Sequence, residues 1–247
     1  MASLQDSALV LRRIPYRDTS FVVHFFTREH GFLAAMAKGV RANRPNGQRA
    51  ALAGFHTLTI YYRLRSPDAL ATLTHAEITH PRHHLSGHAL ALAAGQLFLE
   101  VAYRFSQPGD PLPEVFDQLT LFLNALENGQ DPVQISATGL GLLLRSLGYG
   151  WRIDRCAGCS RQTNLIFFSI KRGQGVCSPC GTPYAPHLYP LSPSLCHAMN
   201  HLPWPPQEHL LNQAETSQLY RMAMACLTLQ SGRTIQTDEI FRRLAGI

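Results

Sequence analysis

Four cysteines carry the most specific chemistry in this chain of 247 residues. Cys156-Ala-Gly-Cys159 and Cys177-Ser-Pro-Cys180 form two CxxC knuckles separated by seventeen residues. Two residues between cysteines let a tight turn aim both thiolates at one point, and two such turns complete the tetrahedral four-sulfur shell that zinc prefers. Gly158 and Gly181 suit the turns, and Leu165 to Ile170 supplies a strand between the knuckles. A redox CxxC needs one pair beside a helix N-terminus in a βαβ setting, which neither pair has. Four sulfurs leave no open coordination position, so the expectation is one structural Zn2+ and no metal-activated water. Cys196 and Cys226 lack CxxC partners and are expected to be ordinary buried residues.

The second chemical signal is cationic. Arg12, Arg13, Arg17, Arg28, Lys38, Arg41, Arg44, Arg49, Arg63 and Arg65 lie in the N-terminal third, interleaved with Tyr16, Phe32, Phe55, Tyr61 and Tyr62, and all but Arg28 are taken as candidate DNA contacts. Guanidinium groups meet phosphates and exposed rings stack on bases, so the mixture suits single-stranded nucleic acid. Aromatics in strands are more often core, which puts more weight on the arginines. The formal charge of +6 is unevenly spread: residues 1–85 carry net +6, 86–150 net −4 and 151–185 net +4. Such zones meet a polyanionic partner or form a solvated surface, and composition does not choose.

His75, His80, His83, His84 and His88 also cluster, but no HExxH accompanies them and Pro81 interrupts any helix there, so a polar hinge is the better reading. The chain contains no GxxxxGK[ST], GxSxG or GxGxxG motif, and no catalysis is expected. Its apolar runs are too short for a membrane span, and Met1 to Leu11 lacks the basic entry of a secretory signal. The expected location is the cytoplasm.

The elements that must position these residues fall into two kinds. From Ala8 to Glu77, five β-rich runs (Ala8–Arg12, Ser20–Thr27, Gly31–Lys38, Thr57–Tyr62, Ala71–Glu77) predict a compact antiparallel barrel, with Gly31 at positive φ in a hairpin. Val40 to Gly54 reads as a long, mobile, basic loop. After Pro81 the period becomes helical. Stripes at Leu90–Phe105, Val115–Leu126, Leu140–Leu147 and Leu219–Leu227 predict four helices, with a short fifth over Asp238–Leu244. Trp151 to Pro206 is an inserted small module and a connector. The fold class is α+β: residues 1–80 a barrel domain, 81–247 a helical domain holding the zinc module at about 151–185.

Three stretches, Ala8-Leu-Val-Leu-Arg-Arg-Ile-Pro-Tyr-Arg-Asp-Thr-Ser20, Phe25-Phe-Thr-Arg-Glu-His-Gly-Phe32 and Ala37-Lys-Gly-Val-Arg41, followed by the double CxxC, resemble the RecO family of bacterial recombinational repair proteins. The resemblance spans nearly the whole chain. It implies an N-terminal five-stranded OB-fold barrel joined to a helical domain that carries the zinc module. It also implies a non-enzymatic, nucleoid-associated mediator that binds single- and double-stranded DNA, anneals complementary strands and, with RecR, promotes RecA loading on DNA coated by single-stranded-DNA-binding protein (SSB). The SSB tail is expected to dock on the helical domain. Arg12, Lys38 and Arg41 fall inside the matched stretches, whereas Arg44 and Arg49 rest on charge alone. Two other classes stay open: a protein-interaction scaffold with a structural zinc module, and a zinc-ribbon enzyme or nuclease.

Overall fold

The computed structural model describes residues 3–40, 48–66, 69–181, 188–206 and 210–247. Arg41 and Arg44, expected to bind DNA, lie outside the described residues. The chain forms two compact units, residues 1–130 and 131–247.

The first unit begins with a closed barrel of β1 (Leu4–Tyr16), β2 (Ser20–Thr27), β3 (Gly31–Ala37), β4 (Thr57–Arg63) and β5 (Ala71–His80), in the order β1-β2-β3-β5-β4. Closure leaves no exposed sheet edge. All pairings are antiparallel except β3 with β5, which run parallel from Ala35 opposite Ala71. The all-antiparallel expectation is corrected there, because β3 and β5 are not joined by a hairpin: β4 lies between them in the chain. Alternation in β3 explains its burial: Leu33, Ala35 and Ala37 face the interior with Val23, Phe25, Leu58, Ile60 and Tyr62. β1 is longer than its sequence signal because a bulge between Val10 and Arg12 breaks the period of two, after which the strand continues against β2 to Tyr16.

The loop after β3 is anchored at its described ends. Val40 and Leu52 are buried in the barrel core, and the Gln48 amide donates to the Thr74 carbonyl at 3.2 Å. Helices α1 (Ala89–Phe105) and α2 (Pro113–Glu127) complete this unit. Their Phe98 and Phe122 rings meet at 5.0 Å, and Phe116 of α2 reaches Phe26 of the barrel at 5.9 Å.

In the second unit, α3 (Pro132–Ser146) packs mainly against the later helix α5 (Gln213–Ser231), and every residue from Ile135 to Leu144 is buried. Asp131 caps α3 by accepting from the Val133 and Gln134 N–H groups, with Pro132 at the first helical position. A three-stranded sheet follows, ordered β7 (Gln174–Cys177), β6 (Leu165–Ser169), β8 (Leu188–Pro190). Then come α4 (Pro193–His201), α5 and α6 (Thr237–Ala245). The supposed connector thus holds a helix, α4, started by Ser192 as N-cap and Pro193 behind it.

Candidate metal centre and nucleic-acid interface

The two knuckles converge. One sulfur from each of Cys156, Cys159, Cys177 and Cys180 lies within 4.8 Å of all the others, and no other group of three or more His, Cys, Asp or Glu is gathered this way among the described residues. A tetrahedral zinc with Zn–S bonds of about 2.3 Å needs sulfurs roughly 3.8 Å apart. The Cys159 and Cys177 sulfurs are already 3.5 Å apart. The local fold is built for this convergence: β6 and β7 form a hairpin whose register sets Leu165 opposite Cys177. The Cys180 and Gly181 N–H groups donate to the Cys177 carbonyl at 3.0 Å each, which turns the second knuckle back on itself. Gly158 leaves room for the sulfur of Cys180; a Cβ there would stand 3.1 Å from it.

The electrostatics fit a cation. Burial works against ionising Cys156, but backbone N–H groups of Cys177, Cys159 and Gly158 favour its thiolate and bring its pKa down to about 6. The thiols of Cys159 and Cys177 push Cys180 up, because neighbouring thiols disfavour a further thiolate, and burial pushes Cys177 up. The donor set and its spacing therefore suit a thiophilic divalent metal. Outside the cluster, Cys226 is buried and pushed up to about 11 by that burial, as an inert thiol should be. Cys196 is only half-buried, a correction to its expected core position.

Six of the nine expected DNA-binding cations gather at one end of the barrel, and register shows how. The line Arg13, Val23, Ala35, Ala71 crosses four strands, and the next line joins Ile14, Val22, Met36, Thr72 and Arg63. Arg12 and Arg13 at the far half of β1, Arg17 in the β1–β2 turn, Lys38 just past β3, and Arg63 and Arg65 at the end of β4 thus share that end. All are exposed, and Arg12, Arg13, Lys38, Arg63 and Arg65 make no ion pair with a carboxylate among the described residues. Arg13 lies over the Phe21 ring at 6.0 Å and Arg17 over Tyr16 at 5.4 Å. Arg49 is exposed in the anchored part of the following loop, outside these register lines.

Most of the aromatics are not on this surface. Phe55 and Tyr62 are core residues, Phe32 and Tyr61 are half-buried, and Tyr16 alone of the five is exposed. The histidines from His75 to His88 lie within the first compact unit, and among the described residues they are not gathered as a metal-holding group. The backbone N–H groups of His83 and His84 share one oxygen of Glu127 and that of Leu85 takes the other, tying the segment to α2. Sequence reasoning missed Arg82, which is 2% exposed and donates to Asn124, Thr120, Phe55 and Thr57. No pattern flags a buried arginine whose acceptors come from three distant segments.

A closed five-stranded barrel in this order, followed by helices and a four-thiol module after the third of them, defines a two-unit protein of the oligonucleotide-barrel class. Family models agree in extent: "Recombination protein O N terminal" matches residues 1–82 and "Recombination protein O C terminal" matches residues 88–239. The chain belongs to the recombination protein O family.

It is similar to the DNA repair protein RecO of Burkholderia pseudomallei, with 36% identity over 172 residues, 68% of this chain and 60% of that protein. The RecO protein of Ralstonia nicotianae is 35% identical over 154 residues, 62% of this chain and 54% of that protein. For that of Rhizobium johnstonii the figures are 26% over 197 residues, 80% and 75%. The chain spans between 49% and 60% of the length of the first three curated relatives it matches. No helix among the described residues is long and apolar enough to cross a membrane.

Proposed function

We propose that this chain is a non-catalytic mediator of recombinational DNA repair that binds single- and double-stranded DNA and anneals complementary strands. The supporting observation is the set of exposed cations without carboxylate partners that the strand register collects at one barrel end, in a chain of the recombination protein O family. Annealing makes no covalent bond. A cationic surface lowers the repulsion between two polyanions and holds them while base pairing supplies specificity. Arg12, Arg13, Arg17, Lys38, Arg63 and Arg65 are the phosphate contacts of this end, and Arg41, Arg44 and Arg49 are further phosphate contacts in this reading.

Cys156, Cys159, Cys177 and Cys180 hold one zinc ion. It contributes folding free energy to its module and, with its shell filled, takes no part in chemistry. The cellular partners in this reading are RecR and SSB, the latter through its C-terminal tail on the helical domain, with RecA loading as the outcome on the nucleoid.

The test mixes complementary strands, bare and then SSB-coated, with and without the zinc-loaded protein across a salt series. Acceleration on coated strands that fades with salt is expected, and each phosphate contact removed, for example by Lys38→Ala or Arg13→Ala, should lower the salt slope by about 0.7. Folded protein that accelerates neither reaction sinks the annealing function and leaves the scaffold reading.

A further inference from the structure

The zinc module carries a second concentration of positive charge that the barrel function does not use. Residues 151–185 contain Arg152, Arg155, Arg161, Lys171 and Arg172 against the single acid Asp154. The fold brings most of them together. Arg152 is bridged in parallel to Gln174: its N–H donates to the Gly173 carbonyl and its own carbonyl accepts from Gly175, both at 2.9 Å. That pairing lays the segment entering the first knuckle along the tight β6–β7 turn, where Lys171 and Arg172 sit. The Arg172 guanidinium reaches the Ala157 carbonyl at 2.7 Å, and the Ala157 N–H donates to Gly175. Arg161 stands one turn on, with its carbonyl accepting from the Cys156 N–H at 2.7 Å.

All five cations are exposed. Arg155 is paired with Asp154 at 2.9 Å, while Arg152, Arg161 and Lys171 make no ion pair among the described residues. Zinc with four thiolates is doubly negative, and the module stays net positive even so. Neutralising that centre therefore leaves cationic charge over on the module.

We propose that this face of the module is a second nucleic-acid binding site, taking the phosphate backbone of a single strand while the barrel end holds another. The inference rests on the DNA-handling function above and adds how two polyanions are held at once: each occupies its own cationic surface, on a separate compact unit. Phosphate contact is what a set of arginines and a lysine provides, so this site should be largely indifferent to sequence.

The experiment counts fluorescent single-stranded oligonucleotides of about 8 nucleotides, a length one small barrel can accommodate, bound per full-length, zinc-loaded chain. The wild type should bind two. The triple variant Arg152→Ala, Arg161→Ala, Lys171→Ala should bind one and anneal about tenfold more slowly, and the barrel variant Arg13→Ala, Lys38→Ala should lose the other. A charge-retaining variant, Arg152→Lys, Arg161→Lys, Lys171→Arg, should bind two. One oligonucleotide per wild-type chain, two per module variant, or loss of a site in the charge-retaining variant would each overturn the second site while leaving the barrel function standing. Failure of every form, wild type included, to bind any oligonucleotide removes the DNA-handling function itself.

Discussion

Arg82 shows how one side chain can hold a fold together without signalling itself. Burial lowers its pKa to about 10, so it enters the interior still charged at neutral pH, and four acceptors from the segment before β4, from β4 itself and from α2 surround it. Replacing it with methionine keeps most of the volume but leaves those acceptors unpaired. Arg82→Met should destabilise the first unit by about 3 kcal/mol, read as a lower urea midpoint. Its neighbour His56 gives the pH dependence. The Nδ1 of His56 accepts from the Arg82 backbone N–H at 2.8 Å, and burial first, then its neighbours His83 and Arg82, lower its pKa. A histidine whose folded pKa lies below its unfolded value of about 6.5 binds fewer protons folded than unfolded. Its stability contribution is full above that value and is lost as pH falls through it. Stability measured between pH 7 and 5 should decline, and His56→Gln, which retains an acceptor, should flatten the slope. A slope unchanged in that variant would assign the decline to other groups, of which His24, lowered chiefly by burial, is the first.

At the level of elements, the β2–β3 hairpin is clamped from two sides. The buried Asp6 carboxylate accepts from His30 at 2.7 Å and from the Glu29 N–H, while Phe32 donates to the Gln107 carbonyl and Gly109 to that of His30. This close approach requires Gly31, whose φ is +68° and whose added Cβ would stand 2.3 Å from the Asp110 carbonyl oxygen. Gly39 has nearly the same φ, +70°, with nothing nearby. Backbone strain alone predicts about 1 kcal/mol for Gly39→Ala. Gly31→Ala should cost more than twice that, because the strand connection itself must shift; equal losses in thermal unfolding would show that the clamp yields freely. The helices follow the same logic of local signals, with Asn212 and Glu215 forming a capping box at the start of α5 and Gly232 ending it in the left-handed region.

For the whole molecule, two compact units imply separable stabilities. If metal holds the four-thiol module, its removal is an unfolding stress on residues 131–247 and not on the barrel. Chelation, or Cys156→Ala, should lower the melting transition of the second unit by several degrees, and elemental analysis of the untreated protein should find one zinc per chain. The affinity of the barrel for its strand should survive. A single transition that chelation leaves in place would mean that the cysteines need no metal to hold their geometry.

Much of this was legible from residue types and short-range spacing. Period-two runs gave five strands because a closed barrel buries alternate side chains, and CxxC repeats gave the thiol cluster because tight turns are local. The helical stripes at Leu90, Val115, Leu140 and Leu219 gave four helices for the same reason, and the Asp238–Leu244 run gave α6. Ser192-Pro193 was a readable start to α4, hidden by the polar makeup of the helix it opens. Other features depend on residues far apart in the chain, and pattern carries no information about them. These are the parallel closure of β3 on β5, the burial of Arg82 among three segments, and the removal of Phe55 into the core against Gly95, where an added Cβ would stand 2.8 Å from its ring. Sequence by itself determined which residues are cationic and which are thiols. Only the tertiary structure decided which cations share a surface, because register across strands and the β6–β7 turn bring together charges that the chain keeps dozens of residues apart.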